Sequence, residues 1–585
     1  MRLLILLLLV TPFTLGAQKE DFQWIIGEDY NFNILGTNNM LLDFNNNKMQ
    51  FEYVDKNIIM TGTNASICDS TGRLLLYSNG CVIKGASGDT LPNGDSLNVD
   101  YAFVEFCVNQ GGYRGHDKAL LLKSPGKPEE YYLFYMGNKY QYQPVYFAYV
   151  PAFSYSVVNT IDHDNMFVEQ KNEVVLNDSL SGGQLEAVRH ANGRDWWIIV
   201  PRRNTPEYFI FLFDKDGLHL VRRQMIGKEA TYSTACSQAA FSPDGALYAR
   251  YGSPDGLFLF DFDRCEGLLS NFRDLGGSVD IFDCNCSSLA FSPNSRYLYL
   301  SLCDLYQYDM WSGDPAGERI TVGVHDENDY ESYFVGSQSG PDGKIYFITG
   351  NGTLDMHVVH DPDAGGLACR AERNAIRFDW PKFDLPNFPH FRLGSVDGSV
   401  CDSLGIDNLP WAHWRWEADT AQSLLAYFRD LSAYEPAAWH WDFGDPVSGA
   451  SNGSTERRPT HVFSADGSYE VCLRVSNAYG ADTLCRTVTV GSSAVSAPWY
   501  AEGEAALHPN PAGAYTALQL SHPLPQEGVL ELLSPAGRVA VRRELARGTA
   551  VARVELSGLP AGLYFWRLLG RGGRVEAAGR LVKGE

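Results

Sequence analysis

Basic residues are in short supply along this chain. Its 585 residues carry 47 Lys and Arg against 70 Asp and Glu, a formal net charge of −23. Binding a phosphate backbone needs clustered cations, so the composition argues against a nucleic-acid partner. Long apolar runs are missing beyond the first few residues, and with them any stretch of the roughly 20 residues that a membrane anchor needs. The catalytic signatures are missing too. There is no GxSxG elbow, no HExxH pair, no long Gly-rich phosphate loop and no sialidase Asp-box. Cys284-Asn285-Cys286 lacks the second CxxC or paired His that a zinc site needs. Asp214-Lys215-Asp216-Gly217 and Asp361-Pro362-Asp363 do not continue into a calcium loop and read as hairpin turns. No catalytic residue, cofactor ligand or metal ligand is therefore assigned.

What is present begins with an export signal. Met1-Arg2 precedes the apolar run Leu3 to Val10, and Leu15-Gly16-Ala17 supplies small residues for a cut after Ala17. Residues 1–17 read as a secretory signal peptide. Twelve cysteines in an exported chain imply disulfides. Tyr and Phe at 31 each and 56 glycines favour strands joined by many turns, an all-β protein.

Residues 18–400 contain a repeat. AAFSPDGALYARYGS, LAFSPNSRYLYLS and GSQSGPDGKIYFITG each read strand–turn–strand, and Pro243, Pro293 and Pro341 lie 50 and then 48 residues apart. Three weaker copies precede them, from Ile67, Leu120 and Val188. A period near 50 with several strands per unit points to a β-propeller, here of six or seven blades with seven favoured. The N-terminal strands and the segment ending Asn387-Phe388-Pro389 are expected to share the closing blade. The FSPDG turns resemble the TolB-type propeller repeat. HANGRDWW with FSPNSRYLY resembles propeller proteins exported by Bacteroidota, a likeness that implies architecture and no activity.

Residues 410–491 form a second unit. Trp441-Asp442-Phe443-Gly444-Asp445, followed by Pro459, His461, Phe463, Gly467, Tyr469 and Val471, resembles a PKD domain, which implies an immunoglobulin-like sandwich. Asn477 and Gly480 bracket a two-residue hairpin loop. Pairing outward from it sets Cys472 opposite Cys485 at disulfide distance. Residues 492–506 are small and polar, a linker.

Residues 507–585 read as short strands between tight turns. His508-Pro509-Asn510-Pro511-Ala512, LSPAGR with Gly537, Gly558-Leu559 and Gly562-Leu563-Tyr564 in LSGLPAGLY, and the closing Leu581-Val582-Lys583 resemble the type A C-terminal sorting domain of the Bacteroidota type IX secretion system. That likeness implies a small β-sandwich, the secretion machinery as partner, and a secreted or outer-membrane-surface destination reached through the periplasm.

The sequence thus leads to a non-enzymatic surface protein that recognises an extracellular glycan or protein. The alternatives are a propeller enzyme acting on glycans, as lyase or hydrolase, and a structural surface component. His190 with Arg189, Arg194 and Asp195 sits beside a turn where a pocket could form. The Tyr131–Tyr135 cluster, followed by Tyr140, Tyr142, Tyr146 and Tyr149, reads mainly as blade core, and Trp411, Trp414 and Trp416 as packing between propeller and sandwich. The sandwich itself is expected to act as a spacer or adhesive module.

Overall fold

The computed structural model describes residues 18–584 apart from 28–38, 47, 57, 61, 100–102, 105–106, 108–111, 114, 116, 138, 142–146, 163–164, 230–236, 253–254, 278–286, 326–331, 350–352, 379–383, 420–421, 492–504, 535–538 and 571–574. The expected signal peptide, most of the linker, Cys284 to Cys286, Tyr142, Tyr146 and Gly537 lie outside the described residues. The chain divides into two compact units. One holds residues 1–417, 426–461 and 470–487, and the other 418–425, 462–469 and 488–585. No helix among the described residues is long and apolar enough to cross a membrane.

Among the described residues the first unit is led by seven consecutive antiparallel sheets, whose first strands are Gln23–Ile26, Ala65–Cys68, Ala119–Lys123, Glu186–Arg189, Gln238–Phe241, Ser288–Phe291 and Val335–Ser339. The last four have four strands each, in sequence order. Their inner strands are apolar on both faces because each sheet is covered by a neighbour on either side. Phe134 meets Phe213 at 5.2 Å between the third and fourth sheets, and Tyr208 meets Tyr248 at 6.3 Å between the fourth and fifth. The seventh packs back on the first, with Trp24 and Phe44 each 5.7 Å from Tyr346.

The repeated turn has a common wiring. In Ser242–Leu247 and Ser292–Tyr297 the serine hydroxyl donates to Asp244 or Asn294 and accepts from the backbone N–H five residues on. Gly245 and Gly343 take the left-handed position at φ 71° and 74°, and Ser295 takes it at 61°.

Contrary to the expectation from the sequence, the ring is not closed by strands shared between its two ends. Among the described residues the first sheet is built from Gln23–Ile26, Asn39–Asp43 and Gln50–Val54, and the segment around Asn387 joins no sheet. Pro386 and Pro389 cannot donate to a ladder, which bars that segment from an interior strand. It runs instead across the inside of the ring. The Asn387 N–H donates to Asn64 O at 3.1 Å, its amide donates to Leu185 O at 3.0 Å, and the Phe388 N–H reaches Gln338 Oε1 at 3.3 Å. One segment thus ties the second, fourth and seventh sheets. Beyond it Arg392 makes a bidentate ion pair with Asp21, at 2.5 and 2.7 Å. Cys265 and Cys401 are bonded, fastening the following loop to the fifth sheet; Cys81 and Cys107 form a further disulfide.

The sandwich has sheets Trp414–Ala418, Leu425–Asp430, Thr460–Val462 and Gly453–Ser454, Ala438–Asp442, Gly467–Asn477, Gly480–Val490. Within it Trp414 sits edge-on to Trp441 at 5.5 Å. Phe443 stacks on His461 at 4.3 Å, and His461 faces Asp445 at 3.3 Å. Gly444 is at φ 67°, and a Cβ there would lie 2.4 Å from Glu470 O. Asp442 accepts from the Gly444 N–H and the Asn452 amide, so the WDFGD run encodes a turn. Cys472 and Cys485 are bonded, with Cα atoms 4.0 Å apart.

In the second unit the strands from Ala505–His508 to Val575–Lys583 form two sheets of three and four strands around a core of Leu518, Leu532, Leu568 and Leu581. The peptide bonds before Pro509 and Pro511 are cis. Asn510 donates to Arg580 O and accepts from the Val582 N–H, reading the backbone of the final strand. The Tyr564 hydroxyl donates to Pro560 O at 3.0 Å across the turn that holds Gly558, Leu559 and Gly562. Lys583 pairs with Ala512 as a parallel bridge.

Candidate functional site

The turns at Pro243, Pro293 and Pro341 lie at one end of the ring, and sandwich residues Asp430 to Pro436, Trp439 and Arg457 face them across a cavity of about 420 Å³. The crossing segment forms part of its wall through Phe388, His390 and Arg392. Four successive inner strands contribute Glu186, Gln238, Leu289 and Ser337. The size falls within the roughly 300–1,000 Å³ of small-molecule sites. The sandwich thus supplies one wall of this cavity.

Most charged groups at the cavity are engaged with one another. Asp21 holds Arg392. Asp430, whose side chain is fully buried, accepts from Arg457 at 3.0 Å, and the Arg457 guanidinium lies 5.6 Å from the Trp439 ring centre. Asp363 is paired with Arg458. The Tyr434 hydroxyl donates to Gln18 Oε1. His390 is kept neutral: burial and then the Arg392 charge hold its pKa down at about 4. Apolar surface from Phe241, Phe291 and Phe388 alternates with the amides of Asn294 and Gln338.

The cavity also holds backbone strain. Tyr434 and Glu435 are consecutive non-glycine residues at φ 63° and 52°. Each such conformation costs roughly 1–3 kcal/mol and persists only where surroundings impose it. Here Asn477 grips Tyr434 O at 3.1 Å, and Pro436 follows.

Deeper along the inner strands lies a second titratable group. Burial, and then the Asp117 carboxylate, raise Glu186 well above the usual carboxylate range. Burial alone lowers the neighbouring Lys118 ammonium to about 7.

The residues singled out from the sequence fall elsewhere. His190 accepts from the Asn192 N–H and packs on Trp197, while Asp195 binds Arg194 and Asn192, a self-contained turn. Tyr131, Phe134 and Tyr135 are core, as the alternation implied. Trp411 lies edge-on to Phe22 at 6.2 Å and the Lys48 ammonium sits 5.9 Å from the Trp416 ring, both joining propeller to sandwich, whereas Trp414 is sandwich core. Asp214 caps its hairpin turn by accepting from the Asp216 N–H, and Asp361 is surrounded by Arg370, Arg415 and Arg429. Sequence reasoning missed Asp21, His390, Arg392 and Tyr434. None belongs to a motif, and the Asp21–Arg392 pair is separated by 371 positions.

Residues 415–491 match the PKD domain family. No curated protein matches the chain. Among solved structures, the PKD1 domain of Vibrio anguillarum Epp is 26% identical, covering 14% of this chain and 96% of its own, with a TM-score of 0.13. The Cps50 (Swd1) β-propeller domain of Myceliophteria thermophila is 11% identical over 57% of this chain and 94% of its own, TM-score 0.29. Puromycin hydrolase is 11% identical over 71% of this chain and 57% of its own, TM-score 0.33. A PKD domain beside a propeller-like body fits an extracellular or cell-surface protein.

Proposed function

We propose that this is a recognition protein, exported through the type IX secretion system and displayed on or released from the cell surface. It binds an extracellular glycan or protein in the cavity between propeller and PKD domain. The observation that carries this reading is the cavity itself. Its carboxylates at Asp21, Asp363 and Asp430 are spent on arginines and its histidine is neutral, while Glu186, Asp244 and Glu435 line it beside amides, aromatic rings and strained backbone that are open for contact. The HPNPA-to-LVK segment supports the export route by resemblance. The test is a glycan, polysaccharide and matrix-protein array probed with full-length protein and with Trp439→Ala, run beside a turnover assay on the same compounds. Saturable binding without turnover, weakened in the variant, is expected. Binding unaffected by Trp439→Ala overturns the cavity as the site.

The enzyme alternative draws on one observation, the raised pKa of Glu186 beside Asp117. A carboxyl that holds its proton more tightly than usual can serve as a general acid. Turnover abolished by Glu186→Gln would favour it.

A further inference from the structure

A second cavity, of about 250 Å³, lies where the three weaker repeat copies turn. Ser70 lies in the turn joining the first two strands of the second sheet, Ser124 and Pro125 in that of the third, and Arg194 in that of the fourth. Pro243, Pro293 and Pro341 occupy the same connection in the fifth to seventh sheets, so both cavities lie at one end of the ring. The PKD domain walls the first cavity, whereas none of the described residues lining the second belongs to it.

The charge of this cavity runs against that of the chain. In a protein of net charge −23 it is lined by Lys123, Arg189 and Arg194, with Glu20 as the one carboxyl among its described lining residues. Arg194 is neutralised by a two-pronged pair with Asp195. Lys123 and Arg189 form no ion pair among the described residues. Arg189 is nevertheless fixed in place: it lies 3.8 Å from the Trp196 ring centre, and its Nη1 donates to Arg194 O at 2.6 Å. That leaves the Nε–Nη2 edge, the side of a guanidinium that takes two oxygens of one anion. Arg189 Nε and Glu20 Oε2 are both shut off from solvent, and neither has a hydrogen-bond partner among the described residues. Burial, against the pull of Arg189, raises the Glu20 pKa, so this carboxyl is a weakened counter-charge. Buried polar groups are normally satisfied, and two orphans at one cavity call for a ligand.

We propose that this cavity is an oxyanion-binding site, in which the free edge of Arg189 and the Lys123 ammonium take a carboxylate or sulfate group borne on a molecule about the size of one sugar residue. The volume sets that limit, since it falls just short of the roughly 300 Å³ at which small-molecule sites begin. The Ser124 hydroxyl accepts from the Lys127 N–H at 3.3 Å, which leaves its own proton for the ligand. A neutral sugar brings no charge to meet the two cations and is refused. The site is separate from the cavity between propeller and PKD domain, and does not depend on what that cavity binds.

The experiment is titration calorimetry of the full-length protein with glucuronate, inorganic sulfate and glucose. Glucuronate should bind saturably, sulfate should compete with it, and glucose should not bind. Lys123→Gln, which has no ion pair to lose, should weaken glucuronate about tenfold or more. Arg189→Lys keeps the charge but not the two-donor edge, and should also weaken it. Should that variant not fold, Lys123→Gln decides. Trp439→Ala, in the larger cavity, should change nothing. Absence of saturable glucuronate and sulfate binding, or binding unaffected by Lys123→Gln, overturns the site. Sulfate binding with glucuronate inert overturns the sugar-sized occupant, and glucose binding as well as glucuronate overturns the role of charge. Binding lost in Trp439→Ala places the anion in the larger cavity and overturns a second site, while leaving the recognition reading standing.

Discussion

Asp21 precedes the first sheet and Arg392 follows the last, so their ion pair offers a direct probe of ring closure. Both side chains are nearly buried, 6% and 11% exposed. Replacing Asp21 by Leu leaves the guanidinium desolvated without its carboxylate, although Gln18 O remains as one acceptor. Breaking a buried pair from one side costs about 3–5 kcal/mol. The body from Gln18 to Gly394 should unfold with an entropy of about 0.8 kcal/mol/K, at ~2.1 cal/mol/K per residue, so Asp21→Leu should lower its melting temperature by roughly 4–6 °C. Asp21→Leu with Arg392→Met removes both charges and should recover about half or more of that loss. Scanning calorimetry of wild type, both single variants and the double variant gives the coupling. A shift within about 1 °C for Asp21→Leu, or additive losses in the double variant, would refute the idea that this pair closes the ring.

Three further outcomes are expected. Reducing the Cys472–Cys485 bond, whose sequence separation is 13, or replacing both cysteines with Ser, should destabilise the PKD domain by about 3 kcal/mol on the loop-entropy estimate, read by denaturant titration with and without reductant. Burial works against the Glu417 carboxylate, yet Lys344, Arg415 and Arg370 hold its pKa well below the usual range. Its stabilisation is therefore complete above the unfolded carboxylate pKa of about 4.3 and is lost as pH falls below it; Glu417→Gln should flatten the acid side of a melting-temperature-versus-pH curve. Asn510→Ala removes two hydrogen bonds to the final strand, should cost the C-terminal domain roughly 1–3 kcal/mol, and should leave the protein in the periplasm; normal surface delivery of a destabilised variant would count against the sorting assignment.

The sheets were legible because their information is local. Pro243, Pro293 and Pro341 mark turns whose wiring needs only five neighbouring residues, and the WDFGD run specifies one turn through Asp442 and Gly444. The Cys472–Cys485 pairing could be reasoned from a single two-residue loop. The closing segment was misread because its apolar residues, Leu385, Phe388 and Phe391, look like a strand until Pro386 and Pro389 are weighed. The cavity was not legible at all. Its walls come from the crossing segment, four inner strands and the sandwich, brought together by pairings such as Asp21 with Arg392 that leave no periodic trace in the chain.

The segment carrying Asn387 also bears on how such a protein can change over evolutionary time. Repeat architectures commonly grow and shrink by duplication or loss of whole units, because each unit contacts only its neighbours. Here one side chain and its own backbone N–H bridge Leu185 and Asn64, which lead into the fourth and second sheets. Adding or deleting a unit would change the distance between those two carbonyls, and a single residue cannot span a new gap. The crossing segment thus acts as a ruler: it freezes the number of repeats, and leaves sequence drift within the turns and loops as the open route to diversification.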